Sequence, residues 1–310
     1  MAYYYCCAFV SPPSSTTSSS LLLLRTPHKK TTKILQHRRP QILPLSLSSA
    51  LSDPFVLQLA ENLEDSLSSS SSPLQKLRQT SSQSLLSKSW PSPKDELFRF
   101  TDTSFLKSSQ IQPISIPPPS SSFSTCPQHI QFPSLTILDG YVAPSLSQFS
   151  SSLLPHSLFV GAISNVPAHL SSTILNALST FTHGDIFWDL NGIGAPDVAV
   201  VYVPAGCRVD TPLHLNFSSL QGADGDESKL LPVSNPRALV VVEKGAEIGI
   251  IEEYSGSDDK RYWANSVMEI VIGEGAKVRH SYIQRQASDA AHIKWTFVQQ
   301  VNFWLSFFLL

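Results

Sequence analysis

The side chains that could do chemistry in this sequence are few and scattered. His214 follows Gly206 by eight residues, in a stretch where a His-x-His pair with a later Glu would make a metal site. Position 216 is Asn, so that motif fails and His214 reads as a structural or surface histidine. A thiolate is both a strong nucleophile and a ligand for soft metals. The chain has four cysteines, Cys6, Cys7, Cys126 and Cys207, and no CxxC pair. Cys207 stands beside a glycine turn, where its thiol could be exposed; free cysteine otherwise behaves as a small buried hydrophobe. Glu252, Glu253, Asp258 and Asp259 make an acidic run that could attract iron and that equally suits a solvated turn. His280 and His292 lie in the last patterned stretch, and neither alone implies a ligand or a base. No GxxxxGK[S/T] loop is present, so the chain is not itself a phosphate-loop ATPase. No Ser, His and Asp have a spacing that singles them out. No residue is assigned a catalytic, cofactor-binding or metal-ligating role.

The elements that would position these groups follow from periodicity. Asp53-Pro54 opens a helix, since Asp caps well and Pro suits the first helical position. Phe55, Leu59 and Leu63 then share one face. Leu74, Leu77, Leu85 and Leu86 suggest a second helical piece, and the stretch 113–127 reads as a linker or extended loop. From Leu135 short β-rich runs take over: 135–138 with the turn pair Asp139-Gly140, then 157–164, 198–203, 238–242, 248–251 and 267–272. One helix, 167–181, interrupts them, with Leu170, Ile174 and Leu178 four apart.

These late strands repeat. Pro204-Ala-Gly206-Cys-Arg-Val209, Glu243-Lys-Gly245-Ala-Glu-Ile248 and Gly273-Glu-Gly275-Ala-Lys-Val278 each follow an apolar strand and open another. Their third-position glycines, Gly206, Gly245 and Gly275, suit a corner with positive φ. The interval between the first two holds a polar insert, 218–236, read as a surface loop. Strand, glycine turn, strand, without intervening helices, fits a stacked β-solenoid. On pattern alone an antiparallel sandwich with glycine turns fits equally well.

A formal net charge of -2 over 310 residues argues against a dedicated nucleic-acid binder. No apolar run approaches the roughly 18–20 residues needed to span a bilayer. The first acidic residue is Asp53; before it stand Arg25, Lys29, Lys30, Lys33, Arg38 and Arg39 among many Ser and Thr. That is the composition of an organelle transit peptide, with Ser over Arg favouring the plastid; a disordered tail with no address is the plain alternative.

Against that background the chain resembles the SufB/SufD family. The likeness starts at Trp90-Pro-Ser-Pro-Lys-Asp-Glu-Leu-Phe-Arg-Phe-Thr-Asp102 and continues at Leu135–Tyr141 with Pro144-Ser-Leu-Ser147. It runs on through Phe187-Trp-Asp-Leu-Asn191, Val198–Val209, Thr211-Pro-Leu-His214, Leu239–Ala246 and Ile251–Gly256. The resemblance covers about residues 53–300. It implies a mainly β fold, a right-handed parallel β-helix preceded by a helical N-terminal region, and it decides between the two readings of the repeat. It also implies a non-catalytic scaffold subunit of the SUF iron–sulfur cluster machinery in the chloroplast stroma. The implied partners are a SufB-like paralogue and a SufC-like ATPase, and no cofactor is held by this chain alone. SufD fits better than SufB: where SufB-like chains carry Glu-Gly-Cys, this one has Glu252-Glu253-Tyr254-Ser255, and a thiolate is the preferred cluster ligand.

The expected organisation is therefore a disordered transit peptide over 1–50, a helical region with a Ser/Pro-rich linker over 51–134, the first β-helix rungs over 135–300, and an atypical apolar tail over 301–310. Val301 after Gln299-Gln300 is what reading through an unspliced donor site would give, so the chain is expected to be C-terminally incomplete, its β-helix unfinished and its SufC-docking region missing. The competing functional readings are a non-functional or dominant-negative isoform and a β-helix enzyme acting on carbohydrate. The latter lacks the expected row of carboxylates along one face.

Overall fold

The computed structural model describes residues 2–10, 53–67, 72–117, 132–149, 154–181, 184–224 and 229–300. In chain order the elements are β1 (Ala2–Val10), α1 (Pro54–Asp65), α2 (Ser72–Leu85), α3 (Ser104–Ser108) and β2 (Gln110–Pro113). There follow β3 (Ser134–Leu138), β4 (Tyr141–Val142), β5 (Phe159–Ala162), α4 (Ala168–Leu178), α5 (Ile186–Gly194) and β6 (Ala199–Val203). Then come β7 (Leu213–Ser219), β8 (Ala223–Asp224), β9 (Leu230–Ser234), β10 (Arg237–Val242) and β11 (Glu247–Gly256). The series closes with β12 (Lys260–Arg261), β13 (Trp263–Ile272), β14 (Lys277–Arg285) and β15 (Ala291–Gln300).

The chain is mainly β and winds between two sheets. One contains β6, β10, β13 and β15, each parallel to the next. The other contains β3, β7, β11 and β14, again all parallel. Each strand thus pairs with its counterpart in the next repeat, which rules out the antiparallel sandwich. The repeat spacing is the register: Val203 lies opposite Val242, and Val242 opposite Ile272. Gly206, Gly245 and Gly275 stack at the corners with φ of 69°, 67° and 68°. A Cβ at any of the three would meet nothing within 4 Å, so backbone conformation, not space, demands glycine there.

Side chains alternate across the sheets, as a period of two requires. Val201, Val203, Val240, Val242 and Ile270 from the first sheet meet Leu213, Leu215, Phe217, Ile248 and Ile250 from the second inside the coil. The first sheet is buried on its other face as well, where Val200, Leu239, Val241 and Phe297 pack under Ile174, Leu178 and Trp188 of α4 and α5. Burial on both faces explains the unbroken apolar runs in β6 and β10.

Several local expectations hold. Asp53 caps α1, accepting the Phe55 N–H at 3.0 Å, and α4 lies within the span expected to be helical. Asp139 (φ 48°) and Gly140 (φ 93°) form the tight turn of the β3–β4 hairpin. Three corrections stand beside them. The insert 218–236 is not simply a surface loop: β9 lies in it, pairs with β2 and β13, and buries Leu231 and Val233. The stretch 186–194, expected to be part of a strand-dominated region, is the helix α5, apolar enough to be buried throughout its length. Residues 2–10, inside the segment expected to be disordered, form β1 along the open edge of β15. That run carries no charge and is rich in β-favouring residues, which suits strand addition to an edge.

Candidate functional site

Coil closure brings together residues that sequence reading kept apart. Glu252 in β11, His280 and Tyr282 in β14, and His292 and Lys294 in β15 all point into the coil, because each shares parity with its strand's inward residues. Register does the rest. Glu252 lies opposite Tyr282 in the next strand, and Ser266 opposite Lys294.

Glu252 is fully buried and surrounded by donors. Lys294 Nζ sits 2.9 Å from Oε1, the Tyr254 hydroxyl donates to the same oxygen at 2.9 Å, and His280 Nε2 lies 2.8 Å from Oε2. Burial works to raise the Glu252 pKa, but the Lys294 ammonium and His280 outweigh it and hold the carboxyl down at about 2. His292 is equally buried, between Ser266 Oγ at 3.1 Å and the Tyr282 hydroxyl at 3.3 Å. Burial, with Lys294 nearby, pushes its pKa down to about 3, so it is neutral. Tyr254 stacks on Phe217 with centroids 4.6 Å apart and meets the His292 ring at 4.6 Å. Burial, reinforced by Glu252, drives its hydroxyl well above the ordinary range. The cluster reaches solvent at one end, where Tyr282 is 37% exposed.

A second buried polar group fastens the helices to the coil. Arg237 in β10 pairs with Glu269 in β13 and donates to Asn191 Oδ1 of α5 at 2.9 Å. The Asn191 amide donates to the Pro236 and Asn265 carbonyls at 3.0 and 2.7 Å, and the Asn265 amide donates to the Phe187 carbonyl and Asn235. Here burial prevails over Arg237 and pushes Glu269 up to about 7. Asp185 caps α5, accepting the Phe187 and Trp188 N–H groups, and also takes the Trp295 indole N–H at 2.9 Å, tying the helix to β15. The Trp90–Asp102 stretch contributes aromatic packing: Trp90 and Phe98 both lie against Phe187, at 5.4 and 5.7 Å.

The residues singled out from sequence now have places. The acidic run does not act together: Glu252 faces inward, Glu253 outward, and Asp258 and Asp259 sit exposed in a turn. His214 pairs with Glu253 at 3.0 Å, and Arg285 approaches the same carboxylate at 3.4 Å, so His214 is a buried structural histidine. Burial lowers its pKa against the pull of Glu253. Cys207 is a free, half-buried thiol packed against the core. Among the described residues no group of three or more His, Cys, Asp or Glu could hold a metal ion. Sequence reading missed Lys294, Tyr254, Arg237 and Glu269. The signal that could have found the inner cluster was the 30-residue repeat itself, which carries Glu252 onto Tyr282, two positions from His280 on the same face.

Comparison with known proteins places this architecture. Residues 223–302 match the SUF system FeS cluster assembly, SufBD core domain. The chain is 49% identical over 275 residues to "Protein ABCI7, chloroplastic" of Arabidopsis thaliana, covering 86% of this chain and 57% of that protein. It is 31% identical over 222 residues to an iron-sulfur cluster assembly SufBD family protein of Synechocystis, covering 68% of this chain and 47% of that one. Residues 223–302 thus carry a SufBD core domain of the SUF iron–sulfur cluster assembly system, and the chain spans about half the length of the relatives it matches.

Proposed function

We propose that this chain acts as a SufD-type scaffold subunit in a plastid SUF complex, alongside a SufB-like paralogue and a SufC-like ATPase, and is not itself catalytic. The observation that carries this reading is the 49% identity to a chloroplastic relative, sustained across helices and coil together. The coil is then the family's right-handed parallel β-helix. That hand is the one expected when a crossover returns to a parallel strand in the same sheet, right-handed in about 98% of cases. Assignment to SufD rather than SufB rests on β11. Where SufB-like chains carry a thiol, this coil presents the Tyr254 phenol, stacked and buried, so it offers no cluster ligand there. The inner cluster has no free nucleophile, because each of its charged groups is matched, and its role is to hold three successive coils in register. The basic, acid-free leader and the chloroplastic relative both support a plastid address, with the stroma as the destination.

The test is capture. A chain carrying residues 51–300 of this protein, continued with the C-terminal part of the Arabidopsis relative, is expected to pull down both the SufB-like and SufC-like proteins. Capture of neither by a chain that folds would overturn the scaffold reading.

A further inference from the structure

The two sheets of the coil end differently. Among the described residues β14, the last strand of the second sheet, pairs with β11 on one side only. β15, the last of the parallel series in the first sheet, pairs with β13 on one side and with β1 on the other. The β1 register runs from Ala2 opposite Gln299 to Val10 opposite Ala291, so nine of the ten residues of β15 are matched.

An open strand edge offers its N–H and C=O groups to any other strand, and proteins guard such edges with outward charges, proline or a bulge. β14 guards its own, with Lys277, Arg279 and Arg285 exposed along it. β15 has no such guard. It contains no proline, and it pairs with β13 residue for residue from Ala291 to Gln300, without a bulge. Its one fixed charge, Lys294, is buried inside the coil, 2.9 Å from Glu252. Its outer side chains Trp295 and Phe297 are packed against Trp188 and Phe181, so the strand is not free to twist its edge away.

We propose that β1 is a cover carried in cis: it occupies the edge of β15 and keeps that edge from pairing with a strand of a second copy of this chain. β1 carries no charge and runs antiparallel, the slightly more stable sense of pairing. It belongs to the same chain as β15, so its pairing is intramolecular and outcompetes a strand that must arrive from dilute solution. β1 lies in the acid-free segment before Asp53, and loss of that segment uncovers the edge. This inference rests on strand pairing and does not depend on the scaffold reading.

Proline in β1 tests it in the full chain. Of two neighbouring strand residues, one directs its N–H at the partner strand, so Tyr4→Pro combined with Tyr5→Pro breaks the ladder whichever it is. The β15 amides that face β1 are expected to exchange at least tenfold faster, while the amides of β13 keep their protection and report that the coil is folded. Sedimentation is expected to show the unaltered chain as a monomer and the variant as dimers and larger species. Unchanged exchange would mean that β1 does not cover the edge, and faster exchange in a chain that stays monomeric would mean that the edge takes no second copy; either overturns the proposal. A further comparison needs only the unaltered chain. Its β15 amides facing β1 should exchange at least tenfold more slowly than the β14 amides facing away from β11, and equal rates would overturn the proposal whether or not the variant folds.

Discussion

Glu252 and Glu269 are both fully removed from solvent, and each faces a cation, yet their carboxyls are pushed in opposite directions. The number of partners makes the difference. Glu252 lies inside the coil with Lys294, His280 and the Tyr254 hydroxyl around it, and it stays ionised. Glu269 lies under the helices with Arg237 on one oxygen, while its Oε2 has no hydrogen-bond partner among the described residues. Burial wins there. The comparison teaches that the inner cluster is a satisfied electrostatic bridge across three coils. The outer pair is held by packing against α5 and carries a desolvation cost.

The sharpest way to break the comparison is Lys294→Met. It leaves Glu252 buried with only His280 and the Tyr254 hydroxyl beside it, and removing one member of a buried pair costs about 3–5 kcal/mol. Urea denaturation would show the loss, and adding Glu252→Gln should recover much of it.

Next is pH. Glu252 titrates far below the unfolded value, so its contribution is present above about pH 4.5 and disappears as pH falls toward 2. Glu269 titrates above the unfolded value, so its contribution is full below about pH 4.5 and is lost as pH rises through 7. Relative to wild type, Glu269→Gln should therefore gain stability between pH 4.5 and 7, by up to about 3 kcal/mol. Melts at pH 5 and pH 8 check this, and an equal difference at both would contradict it. Tyr254→Phe should cost less, about 1.5 kcal/mol, the value of one hydrogen bond to a charged group. Gly245→Ala should cost about 1 kcal/mol through its positive φ alone, since the space around it is open. Thermal denaturation resolves both.

What was legible in the sequence follows from the same physics. The corners were visible because glycine there is required by backbone conformation, and Gly206, Gly245 and Gly275 repeat it. The apolar runs of β6 and β10 were visible as strands because both faces are buried. α5 was hidden because its burial is uniform: with apolar residues nearly all round, it has no amphipathic period to betray a helix. β9 was hidden inside a polar, proline-containing stretch, where its only strand-like signal is Leu230 to Val233. The candidate site was hardest to see, because Glu252, His280 and Lys294 are joined by register rather than by any local motif. The family resemblance reached the fold through Trp90, Phe187 and Asn191, which pack or bridge at the helix–coil boundary, and through the glycine corners.

The most direct test is a double-mutant cycle between Glu252→Gln and Lys294→Met, read by equilibrium denaturation. Closure of the coil in the described register predicts a coupling of at least about 1.5 kcal/mol, as for residues sharing a network. Additivity to within about 0.3 kcal/mol would mean that the two side chains do not meet, and would contradict the account.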